Sequence, residues 1–546
     1  MHDFLINDLS PQEQELLLPF VTNLDKPIFC LKNLPEVVKG ALFSRYSRSE
    51  KDLRQILLNE FIKAPEASFQ GIVGELSNTV DQLVAIKQAE AFYDRVLLGY
   101  GDDSIAELGG AHIACEGISN IAAKALEDCR IGISPLEKST RYVLFNQKKD
   151  GKYLYYREPS IMTSKYSASY EAALDSLFDT YSTLINPLIK YLQTQTPKDA
   201  ETSDRAYLSA TKAKALDILR GLLPMATLTN VGLYGNGRAF EYLLTKFAAS
   251  SHAEINYLGL SMHAELEKVI PSFVKKSKTE RGINYSEYIA KNLASTRKIT
   301  QKLLGESKPN QGQSVQLVEY DRLGEDKVIA AILYPPSDCS LEQINEYVTS
   351  LSQAEKAALV ETYIGDRQSR FYKVGRAFEE TYYTFDLLAD IGAYRDLQRH
   401  RMITQEKQDY SVAHGYVVPS ELIKAGLAES YKKALEYAAE IYGNIFKDLP
   451  EAAQYVVPFA YKIRWRIKLN LREAYHFIEL RSARQGHPSY RLIAQEMYQQ
   501  ISKVHPLITS GMQFVDMNDY VLERLAAEQK LDAKIGEQNS EILVSR

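Results

Sequence analysis

The sequence predicts an α+β chain, predominantly helical, built as two tandem copies of one fold with a small sheet in each copy. Three observations predict it. Apolar residues recur at three- and four-residue spacing in QAEAFYDRVLLGY, ISNIAAKALED, RAFEYLLTKFAA, TFDLLADIGAYRDLQ and REAYHFIELRSA, the period of an amphipathic helix. Strand-like runs are fewer: YLYYREP, VIAAILYPP and AHGYVVPSE. Blocks of related pattern return in the second half in the order they take in the first.

The blocks justify the duplication one by one. GALFSRYSRSEKDLRQIL, early in the first half, answers to IAAILYPPSDCSLEQINEY in the second, and GYGDDSIAELGG answers to KVGRAFEETYY. NGRAFEYLLTKFAASSHAEI, from Asn236, answers to NLREAYHFIELRSARQGHPSYR, from Asn470. An Asn-x-Arg opens each of these last two helices. Between the halves, GESKPNQGQSV has linker composition. The expected division is a first repeat over 1–304, a linker over 305–314 and a second repeat over 315–546. The stretch around Lys148 to Thr202 reads as an insertion in the first half.

Composition narrows the function. Lys plus Arg number 65 against 70 Asp plus Glu, a net charge of −5, which argues against a protein built to coat nucleic acid. The four cysteines, Cys30, Cys115, Cys129 and Cys339, are scattered without a CxxC, so neither a disulfide framework nor a zinc ribbon is expected. MHDFLINDLS carries acid where a signal peptide carries positive charge, and no apolar run approaches the ~20 residues of a membrane span. A cytoplasmic protein without membrane or nucleic-acid partners is expected. The nine histidines show no metal-binding spacing, and no phosphate-binding glycine loop or nucleophile elbow is present.

Arginines carry the chemistry. Arg399-His400-Arg401 follows a helical run in which Arg395 lies one turn back, a donor set suited to phosphate or an anionic ring. The alternative is a basic helix end satisfying its own dipole. Glu137, Ser139 and Arg141 fall on one side if their segment is extended, offering an acceptor, a hydroxyl and a guanidinium. The alternative there is an edge strand with a salt bridge. Arg220 ends the run AKALDILR before Pro224, where an arginine often caps carbonyls. Asn470 and Arg481 share one helical face, and Arg472 and His476 another; Arg238 and Tyr242 repeat the second pairing.

Together these blocks resemble the flavin-dependent thymidylate synthases (ThyX). That family's signature is Arg-His-Arg, two residues, Ser, one residue, Asn-Glu, one residue, Ser, one residue, Arg, usually then Tyr. Arg399-His400-Arg401-Met-Ile-Thr404 looks like its first half, after which QEKQDYS departs from it. Ser134-Pro-Leu-Glu137-Lys-Ser139-Thr-Arg141-Tyr142 looks like the second half, with Leu136 for Asn and Cys129-Arg130-Ile131 where Arg-His-Arg belongs. The family's Arg-x-x-Leu-Pro is similar to Arg220-Gly-Leu-Leu-Pro224, whereas Gln454-Tyr-Val-Val-Pro458 lacks the arginine. Its Asn-x-Arg helix, closed by Leu-Arg, is similar to the stretch from Asn470 to Arg481; Asn236 opens the first copy, which has Lys246-Phe247 at that end. Its Gly-His-x-Ser/Thr-x-x-Glu is similar to Gly101-Asp-Asp-Ser104-Ile-Ala-Glu107, and the second copy keeps only Glu379.

The resemblance implies two copies of the thymidylate synthase-complementing fold and an enzyme that makes dTMP from dUMP. FAD and NADPH would be its cofactors and methylenetetrahydrofolate its co-substrate, with no protein nucleophile attacking the uracil. It assigns Glu137, Ser139, Arg141, Arg220, Arg399 and Arg481 to the nucleotide, with Arg141 and Arg481 as the catalytic pair. It assigns Ser104, Glu107, Asn236, Arg238, Glu379, Arg399, His400, Arg401, Asn470, Arg472 and His476 to the cofactor. Because each copy has lost what the other keeps, one composite site per chain is expected, in a homodimer that imitates the family's tetramer. The alternatives are an enzyme for another uridine nucleotide or one-carbon donor, and a catalytically dead nucleotide-binding scaffold.

Overall fold

The computed structural model describes residues 9–46, 49, 51–63, 106–141, 143–310 and 312–544. The run QAEAFYDRVLLGY, the start of GYGDDSIAELGG with Ser104, and Tyr142 lie outside the described residues. The strands are β1 (Gly110–Ser119), β2 (Ile133–Glu137), β3 (Lys148–Lys149), β4 (Lys152–Tyr153), β5 (Leu228–Asn236), β6 (Val315–Tyr320), β7 (Tyr382–Asp390), β8 (Thr404–Lys407) and β9 (Lys462–Asn470). The helices that matter to the site are α1 (Asn120–Glu127), α2 (Ser167–Gln195), α3 (Asp204–Leu219), α4 (Gly237–Ala248), α5 (Ile391–Leu397), α6 (Ala428–Phe446), α7 (Leu471–Arg481) and α8 (Pro488–Val504).

The two copies are visible in the sheets. One sheet runs β1-β5-β2 and another β6-β7-β9-β8, so the order first strand, last strand, middle strand occurs twice, with β6 added in the second half. The β2–β5 and β8–β9 pairs are both antiparallel. Ser134 lies opposite Tyr234, and Thr404 lies opposite Lys468. Counted back from the helix-capping Asn236 and Asn470, Tyr234 and Lys468 hold the same position. The register therefore equates Ser134 with Thr404, as the shared motif does, and sets Glu137 against Lys407.

The elements that follow match as well. β5 leads into α4 and β9 into α7, each through an asparagine whose side chain accepts the N–H three residues on, from Ala239 and from Glu473, both at 2.8 Å. This is the N-cap geometry that Asn supplies and that sets where a helix starts. α4 buries Phe240, Leu243, Leu244 and Phe247; α7 buries Tyr475, Phe477 and Ile478. Such apolar stripes hold helices of this length, because propensity alone leaves them marginal. In each half a short 3₁₀ turn, Arg220–Leu222 or Gln454–Val456, precedes the last strand. The two turns pair with each other: Met225 and Ala226 N–H donate to Val457 and Tyr455, and Phe459 and Ala460 N–H donate to Leu223 and Gly221. Gly221 has no room for a side chain, since a Cβ would lie 2.1 Å from the Tyr431 hydroxyl.

The chain separates into two compact units that cut across the halves. One comprises residues 1–117, 125–137 and 230–306; the other comprises 118–124, 138–229 and 307–546. The first holds β2, most of β1 and β5, and α4. The second holds the four-stranded sheet around buried Trp465, together with α2, α3 and α5 to α8.

Several local expectations are corrected. VIAAILYPP is not a strand: its first six residues end the helix Gly324–Leu333, in which Gly324 and Val328 are buried one turn apart on the same side. AHGYVVPSE forms only an isolated bridge, Tyr416 to Tyr461, with Pro419 interrupting. TFDLLADIGAYRDLQ is half strand, β7, and half helix, α5; Asp390 ends the first and caps the second through Ala393 N–H at 2.9 Å. The extended segment expected over Glu137 to Arg141 stops at Glu137, and Arg141 N–H donates to the Ser139 hydroxyl in a turn. The stretch Lys148 to Thr202 contains α2, which occupies the same place in chain order as α6, so most of it is not an insertion.

Candidate active site

A cavity of about 200 Å³ opens within the second compact unit. The first half of the sequence contributes Lys138, Ser139, Thr140, Arg141 and Arg220 to its wall; the second half contributes Arg395, Asp396, Arg399, Arg481 and Tyr490. Six cationic side chains thus face one carboxylate, a charge balance that calls for an anionic ligand. Four of the expected guanidiniums, Arg141, Arg220, Arg399 and Arg481, and the hydroxyl of Ser139 come together here. Glu137, the last residue of β2, is buried in the first unit and is not part of the wall.

Each arginine is held in its own way. Arg141 grips Asp217 in bidentate fashion, Nε to Oδ1 at 2.7 Å and Nη2 to Oδ2 at 2.6 Å, and Nη2 also donates to the Gln485 carbonyl at 3.2 Å. Burial opposes both charges, but the Arg141 guanidinium outweighs it and holds the Asp217 carboxyl below its ordinary range. A fork-to-carboxylate contact is the geometry that offsets such desolvation. Arg220 does not cap its helix as expected. It is buried, Nη1 donates to Asp396 Oδ2 at 3.0 Å, and Nη2 has no hydrogen-bond partner. Gly392 makes room for it, as a Cβ there would stand 3.2 Å from that same Nη2. Arg395 lies over the Phe459 ring at 4.4 Å. Arg399 and Arg401 are exposed, on either side of buried His400.

His400 is engaged at both ring nitrogens. Arg481 Nε donates to its Nε2 at 2.8 Å, so the proton sits on Nδ1, which faces Glu473 Oε1 at 2.9 Å. Burial and the neighbouring Arg481 hold the His400 pKa well below its usual value, so the ring is neutral. A chain Glu473–His400–Arg481 therefore fixes the guanidinium that faces the cavity. His476 Nδ1 accepts from Lys373 Nζ at 2.8 Å, and burial lowers the ring's pKa to about 4. His400, Glu473 and His476 bring three ligand atoms within 4.8 Å of one another, but Lys373 and Arg481 sit on that group, and their charge disfavours a cation.

The Asn-x-Arg pairs behave alike. Arg238 Nη1 reaches Glu107 at 2.7 Å, and Arg472 Nη1 reaches Glu379 at 2.8 Å. The acid that each half keeps in its upstream block is thus the partner of its Asn-x-Arg arginine. Asn236 and Asn470 spend their side-chain oxygens on the N-caps.

Sequence reasoning missed Asp217, Asp396, Lys138, Tyr490 and His487. Asp217 lies one turn before Arg220 in AKALDILR, where the other charged residues are basic, and Asp396 stands between Arg395 and Arg399. His487, partly buried, accepts Ser489 N–H at 3.1 Å and stands near Arg220 and Arg141. Burial and those two charges lower its pKa to about 3.

The chain matches the family model described as thymidylate synthase complementing protein over residues 60–272 and again over 316–507, and it belongs to that family. A UPF0159 protein of Chlamydia pneumoniae is 44% identical over 524 residues, covering 95% of this chain and 97% of the relative. A protein of Sulfurisphaera tokodaii named flavin-dependent thymidylate synthase is 26% identical over 245 residues, 43% of this chain and 90% of that protein. A solved UMP/dUMP methylase, PolB of Streptomyces cacaoi, aligns with 36% of this chain and 93% of its own at 20% identity and a TM-score of 0.30. Among the described residues, no helix is long and apolar enough to cross a membrane.

Proposed function

We propose that the chain is a flavin-dependent thymidylate synthase that makes dTMP from dUMP with methylenetetrahydrofolate and NADPH, at a composite site to which both repeats contribute. The observation that carries this reading is the cavity wall, where Arg141 and Arg220 of the first half face Arg399 and Arg481 of the second. A nucleoside monophosphate presents a phosphate dianion, and guanidinium forks bind such a group from two sides. Arg220 adds its charge to the same wall, braced by Asp396. Ser139 supplies a hydroxyl at the same wall. Arg141 and Arg481 are the groups assigned to touch the reacting nucleotide. Held rigid by His400, Arg481 suits a pyrimidine carbonyl oxygen, whose charge a preorganised donor stabilises as the ring reacts.

A flavin, when bound, supplies the hydride that completes the methyl group. Exposed Arg399 and Arg401 fit the pyrophosphate of FAD. Arg472 with Glu379, Asn470 and His476 are assigned to the same cofactor, as are Ser104, Glu107, Asn236 and Arg238 of the first repeat. His400, assigned to the cofactor by the resemblance, has both ring nitrogens engaged and acts through Arg481. We assign the repeats to 1–304 and 315–546, joined by 305–314, and the assembly to a homodimer.

The test is purification of the full chain, an absorbance spectrum, and an assay of NADPH oxidation with and without dUMP and methylenetetrahydrofolate. The expected result is a flavin spectrum and oxidation that depends on dUMP, with dTMP as product. A colourless protein, or oxidation indifferent to dUMP, overturns the reading. A colourless protein that still binds dUMP would instead be the scaffold.

A further inference from the structure

We infer that Asp396 is a specificity-determining residue of the cavity, and that it selects an anionic ligand carrying a sugar hydroxyl over one that lacks it. The inference rests on the nucleotide reading above and adds to it what part of the nucleotide is read. Asp396 is the only carboxylate in the cavity wall among the described residues. Its Oδ2 takes the Arg220 Nη1 bond at 3.0 Å, while Oδ1 accepts no hydrogen bond among the described residues. The adjoining Arg220 Nη2 is a buried donor without a partner. The unused acceptor therefore belongs to an ion pair at the cavity wall.

The charge of Asp396 is secure. Burial opposes it, but Arg220, Arg399, Arg141 and Arg481 outweigh burial and hold its carboxyl well below the ordinary carboxylate range. A bare anion would satisfy the arginines but would leave Oδ1 unpaired beside a like charge. A nucleoside monophosphate answers both needs, since its phosphate meets the guanidiniums of the wall while a sugar O–H donates to Oδ1. A hydrogen bond to an ionised acceptor is among the stronger kinds, and leaving such an acceptor unmet is costly. Selection by a ligand hydroxyl follows, because a site built to pair with an O–H rejects the analogue lacking it.

The experiment is calorimetric titration of the full-length wild type, Asp396→Asn and Asp396→Ala with dUMP, 2′,3′-dideoxyuridine monophosphate and inorganic phosphate. Wild type is expected to bind dUMP at least about tenfold more tightly than the dideoxy compound. Asp396→Ala is expected to bind the two alike. Asp396→Asn, which keeps the shape and guards against a folding defect, is expected to narrow the preference and to bind inorganic phosphate more tightly than wild type does. Wild type without a preference, or a folded Asp396→Ala that keeps it, overturns the inference while leaving the nucleotide reading in place. Wild type that binds none of the three overturns the nucleotide reading itself, and this inference with it.

Discussion

At the scale of the residue, the cavity is a set of cations whose counter-ions are built in. The arginines were legible from the sequence because guanidiniums recur in motifs with fixed spacing. Their acidic partners were not: Asp217 lies 76 positions from Arg141 and Asp396 lies 176 from Arg220, and no local pattern joins residues that far apart. Two consequences can be measured. Arg141→Ala leaves Asp217 buried without its counter-ion and should lower the unfolding free energy by about 3–5 kcal/mol; the double variant Arg141→Ala/Asp217→Ala should recover part of that loss. Urea unfolding checks both, and equal losses in the single and double variants would contradict the pairing.

The second consequence concerns pH. In the folded chain His487 titrates at about 3, against an ordinary histidine value of ~6.5 in the unfolded chain. Between those values the unfolded state binds a proton that the folded state refuses. Stability is therefore full above ~6.5 and falls as the pH drops toward 3, by up to about 1.4 kcal/mol per pH unit from this group. Asp217 and Asp396, whose folded values are depressed, act in the same direction lower down. Their contribution is present above the unfolded value of ~3.9 and is lost only below it. Replacement His487→Gln should flatten the slope between pH 6 and about 4, as read by denaturant midpoints at each pH. An unchanged slope would contradict the neutral ring.

At the scale of the element, the helices were legible wherever one apolar stripe faced one core, as in α4 and α7. Their starts were legible too, because Asn at the N-cap satisfies a backbone N–H that the helix itself leaves open. What failed was the boundary inside TFDLLADIGAYRDLQ. β7 is a central strand of its sheet with most of its residues buried, so its apolar run carries no alternation by which to tell it from a helix. VIAAILYPP failed for the converse reason, a short helix rich in β-branched residues. The caps make the equivalence of the two copies testable: Asn236→Ala and Asn470→Ala should each cost about 1 kcal/mol. Thermal or denaturant unfolding reads both, and a cost confined to one of them would show that the matched caps differ in worth.

At the scale of the whole molecule, duplication explains how so many arginines reach one cavity. The order β1-β5-β2 recurs as β7-β9-β8, and the two 3₁₀ turns pair through Leu223 and Phe459. Arg220 sits on one turn; its counterpart on the other is Gln454, whose Oε1 already accepts Tyr410 N–H at 3.1 Å. The second copy thus has a self-satisfied amide where the first has a cation, in keeping with the proposal of one site per chain. That much could be read from the motifs. The course of residues 138–229 into the same compact unit as the second half could not, since it depends on contacts between residues hundreds of positions apart.

The most direct measurement is calorimetric titration of dUMP into the full chain, its Arg220→Gln and Arg399→Ala variants, and the wild type for reference. Arg220→Gln copies what the second half already has at that position, and Arg399→Ala alters an exposed side chain. Saturation of the wild type at one dUMP per chain, with binding weakened at least about tenfold in each variant, is the predicted result. A folded variant of either kind that binds as wild type does, or two equal sites per chain, would contradict a nucleotide site shared between the two halves.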